Sequence, residues 1–221
     1  MPLLKPSAIL FDLDGTLADT APDLAAAMTR MQSERGLTPT AYEHLRPVAS
    51  AGARGLIGTA FGIKPGDDAY EDLRVTFLDY YAEAIAVKSR LFDGIPALLD
   101  NIELNHLRWG IVTNKASRFT NPLVPQIGLQ NAGCIISGDT TPHAKPHPAP
   151  LLEAARRLNL SPAQCWYVGD DLRDIQAGRA AGMATIAITW GYGAQAGAWG
   201  ADALVNTPAE LYTLIQQSQI S

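Results

Sequence analysis

Short apolar runs recur along the chain, and most of them are separated by longer segments whose apolar residues repeat at helical spacing. Strands that alternate with helices are typical of βαβ units, which build a mainly parallel sheet with helices on both faces. The pattern therefore predicts an α/β fold with a Rossmann-like core of three layers. The predicted strands are residues 8–11, 109–112, 133–136, 165–168, 184–188 and 203–205, and the predicted core helices are residues 95–104, 149–158, 171–181 and 208–215.

The stretch between the first and second predicted strands breaks this alternation. Residues 21–35 and 68–87 carry apolar side chains at helical spacing, and a shorter helix is predicted at 53–60. No strand pattern appears anywhere in residues 17–88. A helical segment in this position is an insertion into the α/β core. We therefore predict an α-helical cap formed by residues 17–88, and a core formed by residues 1–16 and 89–221.

Composition and charge narrow the possible classes of function. The chain has 221 residues, of which 47% are hydrophobic and 18% charged, as in a globular protein of one large domain or one domain with an insert. Its net charge of −5 comes without clustered basic residues, so we predict no nucleic-acid partner. No apolar run approaches the roughly 18 residues of a membrane span, and the first residues lack a secretory pattern. We expect a cytoplasmic protein without membrane association, in which Cys134 and Cys165 are buried free thiols.

The first predicted strand ends in two carboxylates. Asp12 and Asp14 follow the apolar run at 8–11, and their spacing places both side chains on one side of an extended chain. Gly15 allows a sharp turn directly afterwards. Because open α/β sheets bind their ligands at the carboxyl ends of the strands, both acids are expected in a ligand site. One acid can act as a nucleophile while the other moves a proton.

Further polar clusters follow the other predicted strands. A hydroxyl and an amide come after the second strand, a lysine lies in the loop after the third, and several acids follow the fourth. Together these groups suit phosphoryl transfer, which needs a nucleophile, donors to the phosphoryl oxygens and a hard cation such as Mg²⁺ held by carboxylates. The residues are Thr113, Asn114, Lys145, Asp170, Asp171 and Asp174.

In this order, the clusters resemble the motifs of the haloacid-dehalogenase-like hydrolase superfamily. The resemblance spans the whole chain, and it includes a helical cap between the first motif and the second. The four motifs read Asp12-Leu-Asp14-Gly-Thr, Thr113-Asn114, Lys145-Pro and Gly-Asp170-Asp171-Leu-Arg-Asp174.

The resemblance implies a role for each reacting side chain. Asp12 is expected to be the nucleophile. Asp14 is expected to be the general acid for the leaving alcohol and then the base for water. Thr113, Asn114 and Lys145 are expected to bind the phosphoryl oxygens.

The resemblance also implies a Mg²⁺ site. Its expected ligands are Asp12, the main-chain carbonyl of Asp14, and Asp170. Asp174 is expected to orient the motif lysine or a water on the metal. Asp171 either joins Asp174 around the metal ligands or caps the helix that follows it.

Within the superfamily the chain is similar to the phosphoglycolate phosphatases, and more similar to bacterial phosphatases that act on N-acetylmuramic acid 6-phosphate. This likeness implies a Mg²⁺-dependent phosphomonoesterase that acts through an aspartyl-phosphate on a small phosphorylated metabolite. We expect 2-phosphoglycolate as the substrate, with N-acetylmuramic acid 6-phosphate as the alternative. The likeness to the first group is carried by residues 11–20, 112–115, 168–170, 174–178 and 181–182. The likeness to the second is carried by residues 52–54, 60–61, 107–110, 113–119, 169–175 and 199–202.

Other functions remain open on the same motifs. A haloacid dehalogenase would need neither a general acid nor Mg²⁺, and the second aspartate and the acidic fourth motif argue against it. A phosphomutase would pass the phosphoryl group from the aspartate to a second hydroxyl rather than to water. A catalytically silent binding protein would be expected to have lost part of the motif set, and none of the motifs is lost.

Three polar residues outside the motifs allow two interpretations each. Arg54, in the predicted cap, is either a cation for a substrate carboxylate or an ordinary surface ion. His143 and His147 have the spacing of zinc ligands on a helix. The prolines around Lys145 exclude a helix there, so we predict solvated loop histidines.

Overall fold

The computed structural model describes residues 3–218, and a six-stranded parallel sheet lies at its centre. The strand order is β5-β4-β1-β6-β7-β8, so β1 lies between β4 and β6. The mainly parallel α/β fold is therefore confirmed. The strands of this sheet are β1 (Ala8–Phe11), β4 (Arg108–Val112), β5 (Ile135–Ile136), β6 (Cys165–Gly169), β7 (Ala184–Ile188) and β8 (Ala203–Val205). A separate pair is formed by β2 (Ala18–Asp19) and β3 (Arg90–Leu91).

Helices cover both faces of the sheet, because successive residues of a strand point to opposite sides. Ile9 and Phe11 of β1 pack into one hydrophobic cluster, which contains residues of α5 and α9. Ala8 and Leu10 pack into another, which contains residues of α7 and α8. The result is the predicted three-layer core. The helices are α5 (Ile95–Leu104), α6 (Ser117–Gln126), α7 (Ala149–Arg157), α8 (Leu172–Ala181) and α9 (Pro208–Gln217).

The chain between β2 and β3 is helical. Met28 and Met31 of α1 and Phe77 and Tyr81 of α4 are buried in the interior of this segment, as their helical spacing predicts. The limits of the predicted cap, residues 17–88, remain a prediction. The helices are α1 (Ala21–Glu34), α2 (Tyr42–Leu45), α3 (Gly52–Phe61) and α4 (Tyr70–Glu83).

The prediction that this stretch contains no strand is wrong. Ala18 and Asp19 form β2, which pairs antiparallel with β3 where the chain returns from the helical segment. A strand of two residues is too short to produce a periodic pattern, and its partner lies far away in the sequence. The helix α6 was also not predicted, and it contains Pro122 and Pro125.

Hydrogen bonds fix both chain crossings between the helical segment and the sheet. The carboxylate of Asp23 accepts the backbone N–H groups of Lys88 and Ser89 at 2.7–3.0 Å. The hydroxyl of Tyr192 accepts the backbone N–H groups of Thr20 and Ala21, at 2.7 and 2.9 Å. The orientation of the helices over the sheet is therefore held by buried polar contacts as well as by packing.

Both cysteines are buried free thiols, as predicted. Burial raises the pKa of Cys134 and of Cys165 to about 11. Among the helices of residues 3–218, none is long and apolar enough to cross a membrane.

Candidate active site

The strand ends bring the predicted site residues together. Asp12 follows β1, Thr113 follows β4, and Asp170 follows β6. Since β1 is paired with β4 on one side and β6 on the other, Asp12 lies in the middle of the three. Its backbone N–H still donates to the carbonyl of Val168, at 2.9 Å, so the parallel ladder itself positions the carboxylate.

Lys145 lies at the centre of the site. Its ammonium nitrogen is 2.9 Å from Oδ1 of Asp12 and 2.7 Å from Oδ1 of Asp174. It also donates to the carbonyl of Val112 at 3.0 Å and to the hydroxyl of Tyr167 at 2.7 Å. Burial disfavours the charged amine, but the two carboxylates outweigh it, so the pKa of Lys145 is raised and the side chain stays protonated.

Asn114 holds the backbone of Lys145 in place. Its Oδ1 accepts the N–H of Lys145 at 2.9 Å, and its Nδ2 donates to the carbonyl of Lys145 at 3.0 Å. The side-chain amide, expected on a phosphoryl oxygen, is therefore committed to the loop that carries Lys145. The contact of Asn114 with phosphate remains a prediction. Its two hydrogen bonds show that Asn114 positions the backbone of Lys145.

Three buried carboxylates lie close together beside this lysine. Asp12, Asp170 and Asp174 each offer an oxygen within 4.8 Å of the others. Asp170 accepts the backbone N–H of Tyr192 at 2.8 Å and the hydroxyl of Thr16 at 3.1 Å. The acidic side chains that were expected to meet at the carboxyl edge of the sheet therefore lie close together in the structure.

The turn after β1 is shaped by the approach of Asp170. Gly15 has φ +88°, in the region that favours glycine, and an added Cβ would lie 2.2 Å from Oδ2 of Asp170. A larger residue would therefore push Asp170 away from Asp12. Gly15 allows both the turn and the close packing of the two acids.

The electrostatics of the carboxylates favour a cation. Burial raises the pKa of Asp12 to about 7, although Lys145 opposes this effect, and the charges of Asp174 and Asp14 add to it. Burial and the charges of Asp12 and Asp174 raise the pKa of Asp170 to about 8. A single lysine leaves this negative charge only partly balanced. Hard carboxylate oxygens at this spacing fit Mg²⁺.

Asp14 stands outside this carboxylate cluster. Its Oδ1 is 3.0 Å from the ammonium of Lys115 and accepts the hydroxyl of Thr20 at 2.5 Å. The side chain of Lys115 is 7% exposed. Its burial lowers the pKa of the ammonium, but the charge of Asp14 opposes this effect and the pKa is raised. Lys115 is not among the predicted site residues, although it directly follows the Thr113-Asn114 pair, because a lone lysine after a strand resembles a solvated surface residue.

The acids of the fourth motif have separate partners. Asp171 caps α8 by accepting the backbone N–H of Arg173 at 2.9 Å, and it pairs with the guanidinium of Arg173 at 2.8 Å. Burial opposes ionisation of Asp171, but the contacts with Arg173 outweigh it and lower its pKa. Asp174 accepts the backbone N–H of Asp171 at 3.1 Å through the oxygen that does not contact Lys145. Asp174 thus links the N-terminus of α8 to the lysine.

The remaining candidates lie apart from this cluster. Arg54 is exposed on α3, and the described residues that line the cavity include Gly52 and Ala53 but not Arg54. Its contact with substrate remains a prediction. His143 and His147 are exposed in the loop around Lys145, with ring centres 4.5 Å apart.

A cavity of about 260 Å³ lies between the strand ends and the helical segment. Its floor is polar and contains Asp12, Thr113 and Lys145, whereas its opposite wall contains Leu24 and Phe77. Arg173 closes one side by donating to the carbonyl of Ser50, at 2.9 Å. The cavity therefore combines a charged reaction surface with an apolar wall, as ligand sites commonly do.

Comparison with known proteins agrees with this geometry. The haloacid dehalogenase-like hydrolase family matches residues 9–188. An N-acetylmuramic acid 6-phosphate phosphatase of Pseudomonas putida is 45% identical over 219 residues, which cover 97% of this chain and 98% of the relative. A phosphoglycolate phosphatase of Xanthomonas campestris pv. campestris is 45% identical over 213 residues, which cover 94% of this chain and 95% of the relative.

Solved structures share the fold over nearly the whole length. A crystal structure described as a "predicted phosphoglycolate phosphatase" from Haemophilus somnus 129PT superposes with a TM-score of 0.84 and is 26% identical. The superposition covers 95% of this chain and 98% of that one. The chain belongs to the haloacid dehalogenase-like hydrolase family, and it is a phosphatase.

Proposed function

We propose that this phosphatase hydrolyses phosphomonoesters in two steps through a phosphoryl group carried on Asp12. The observation that supports this proposal is the Lys145 ammonium held between Asp12 and Asp174, with the buried carboxylate of Asp170 beside them. A buried carboxylate next to a cation and two further acids can attack phosphorus while the charge on the phosphoryl oxygens is neutralised.

In the first step, an oxygen of Asp12 attacks phosphorus and the bond from phosphorus to the ester oxygen breaks. Lys145 and Thr113 hold the phosphoryl oxygens, and Asp14 gives a proton to the leaving alcohol. In the second step, water attacks the phosphorus and gives its proton to Asp14, while the bond to Asp12 breaks. Phosphate leaves, and both carboxyl groups return to their starting states.

Mg²⁺ bound by Asp12, Asp170 and the main-chain carbonyl of Asp14 would neutralise charge on the phosphoryl group. Asp174 and Asn114 act through Lys145, the first by holding its ammonium and the second by fixing its backbone. Asp171 acts through α8, whose first turn it caps.

The helical segment completes the site. We assign residues 17–88 to a cap that covers the strand ends of a core made of residues 1–16 and 89–221. Ser50 contributes a contact across this boundary, with its hydroxyl 3.5 Å from the carboxylate of Asp170. Covering the cavity excludes water other than the attacking molecule, which protects the phosphoryl group on Asp12 until the alcohol has left.

Two substrates are supported by the named relatives. 2-Phosphoglycolate is the first candidate, and N-acetylmuramic acid 6-phosphate is the second, because a relative of each name is 45% identical to this chain. Because the cavity has a volume of about 260 Å³ and an apolar wall, the larger sugar ester should be tested directly. The acid Asp14 and the buried carboxylate cluster argue against a dehalogenase, which needs neither.

The first test of the proposed function is kcat/KM for both esters. We expect hydrolysis of at least one of them with Mg²⁺ and its loss in EDTA, restored by added Mg²⁺. A phosphomutase would instead need a sugar bisphosphate activator and would release little phosphate. Equal rates with and without EDTA, or chloride release from 2-chloropropionate without metal, would contradict the proposal.

Replacing the nucleophile should abolish turnover without unfolding the chain. Asp12→Asn has nearly the same shape but cannot form the acyl-phosphate, so we expect kcat to fall by at least about 10³-fold. Far-UV circular dichroism should match the wild type. Retained turnover in this variant would exclude Asp12 as the nucleophile.

Adjacent acids in the fourth motif should differ in their effect on Mg²⁺. For Asp170→Asn, which loses a ligand charge, we expect the Mg²⁺ concentration for half-maximal activity to rise by about 10-fold or more. The matched variant Asp171→Asn keeps a good helix cap and should leave this concentration near the wild-type value. An equal shift in both variants would place Asp171 in the metal site as well.

A further inference from the structure

The hydroxyl of Tyr81 is buried without a hydrogen-bond partner. Tyr81 lies on α4 and is 1% exposed, and its hydroxyl is the buried side-chain polar atom left without a partner among residues 3–218. Other tyrosines near the site are satisfied, since the hydroxyls of Tyr167 and Tyr192 each make several hydrogen bonds. Phenylalanine would fill the same space without burying an unpaired hydroxyl, so packing alone does not account for tyrosine here.

Tyr81 lies against a second donor on the wall of the reaction cavity. The ammonium of Lys115 is 4.6 Å from the centre of the Tyr81 ring, and both residues line the cavity that contains Asp12. Lys115 has an ion-pair partner in Asp14, at 3.0 Å, but an ammonium carries three protons. The phenol and the ammonium therefore form a pair of donors next to the acid proposed to protonate the leaving alcohol.

The surroundings of this pair suit a short carbon skeleton. Phe119 packs on Tyr81 with ring centres 5.4 Å apart, and Phe77 lines the same cavity. An apolar wall next to two donors accommodates carbon atoms that end in an oxygen acceptor. The adjacent positive charge favours an acceptor that is anionic.

We propose that Tyr81 and Lys115 bind a carboxylate on the leaving-group part of the substrate and so determine specificity. The inference rests on the proposed phosphatase function and adds the substrate class, phosphomonoesters of hydroxy acids and of carboxylate-bearing sugars. The carboxylate receives the hydrogen bond that Tyr81 lacks in the free protein. The cation for this carboxylate is thus Lys115, which lines the cavity, whereas Arg54 is exposed on α3 and does not line it.

Matched ester pairs test this assignment. 2-Phosphoglycolate differs from ethyl phosphate by its carboxylate, and N-acetylmuramic acid 6-phosphate differs from N-acetylglucosamine 6-phosphate by the group that carries its carboxylate. We expect the wild type to prefer the carboxylate member of at least one pair in kcat/KM. Tyr81→Phe should reduce that preference by about 10- to 100-fold, and kcat/KM for the member without a carboxylate should change by less than about twofold.

Two controls separate binding from structural effects. Tyr80→Phe removes the neighbouring hydroxyl of α4, which donates to Glu34 outside the cavity, and it should leave the preference unchanged. The melting temperature of Tyr81→Phe should equal or exceed that of the wild type, because the hydroxyl has no partner at hydrogen-bond distance and Lys115 beside it keeps its ion pair with Asp14. A fall of several degrees would show that the hydroxyl has a structural partner and would overturn the assignment.

The outcomes also separate this inference from the proposed function. Absence of turnover on all four esters would overturn the phosphatase mechanism and this inference with it. Turnover without a preference for either carboxylate ester would overturn the inference alone. In Tyr81→Phe, an equal loss of kcat/KM for both members of a pair would also overturn the inference alone. No loss of kcat/KM for either member would overturn it too.

Discussion

The ion pair that joins Lys145 to Asp12 and Asp174 is the interaction on which the site depends. Buried carboxylates repel one another and lose hydration, so several of them cannot be charged in one cavity without positive charge among them. Lys145 supplies part of that charge at 2.9 and 2.7 Å. The negative charge that Lys145 leaves unbalanced is the reason that the site fits a divalent cation. Loss of the lysine would leave the acids protonated or displaced, and the proposed nucleophile and the proposed metal site would fail together.

The fold keeps this cluster together through backbone contacts. The parallel sheet places Asp12 and Asp170 on neighbouring strands, and the turn at Gly15 lets them approach. Asn114 fixes the loop that carries Lys145, and α8 presents Asp174. Each reacting group is therefore held by a different element, and the helices above the strand ends close the cavity over them. Such positioning supplies much of the catalysis expected for phosphoryl transfer.

The sequence predicts the parts of this structure that depend on local pattern. The six strands of the sheet, four of the five core helices (α5, α7, α8 and α9) and the four polar clusters at the strand ends follow from periodicity and spacing. Contacts between distant segments do not follow from local pattern. β2 pairs with β3 from across the helical segment, and Asn114 bonds the backbone of Lys145, which is 31 residues away in the sequence. Lys115 and Tyr81 become neighbours only when α4 packs over the strand ends, so neither residue stands out in the sequence.

The most direct test of the central claim is a crystal structure of the protein with Mn²⁺ in place of Mg²⁺. The account predicts one anomalous scattering peak within coordination distance of Asp12 and Asp170, with Lys145 still between Asp12 and Asp174. A cavity without such a peak at saturating Mn²⁺, or a peak away from Asp12 and Asp170, would contradict it.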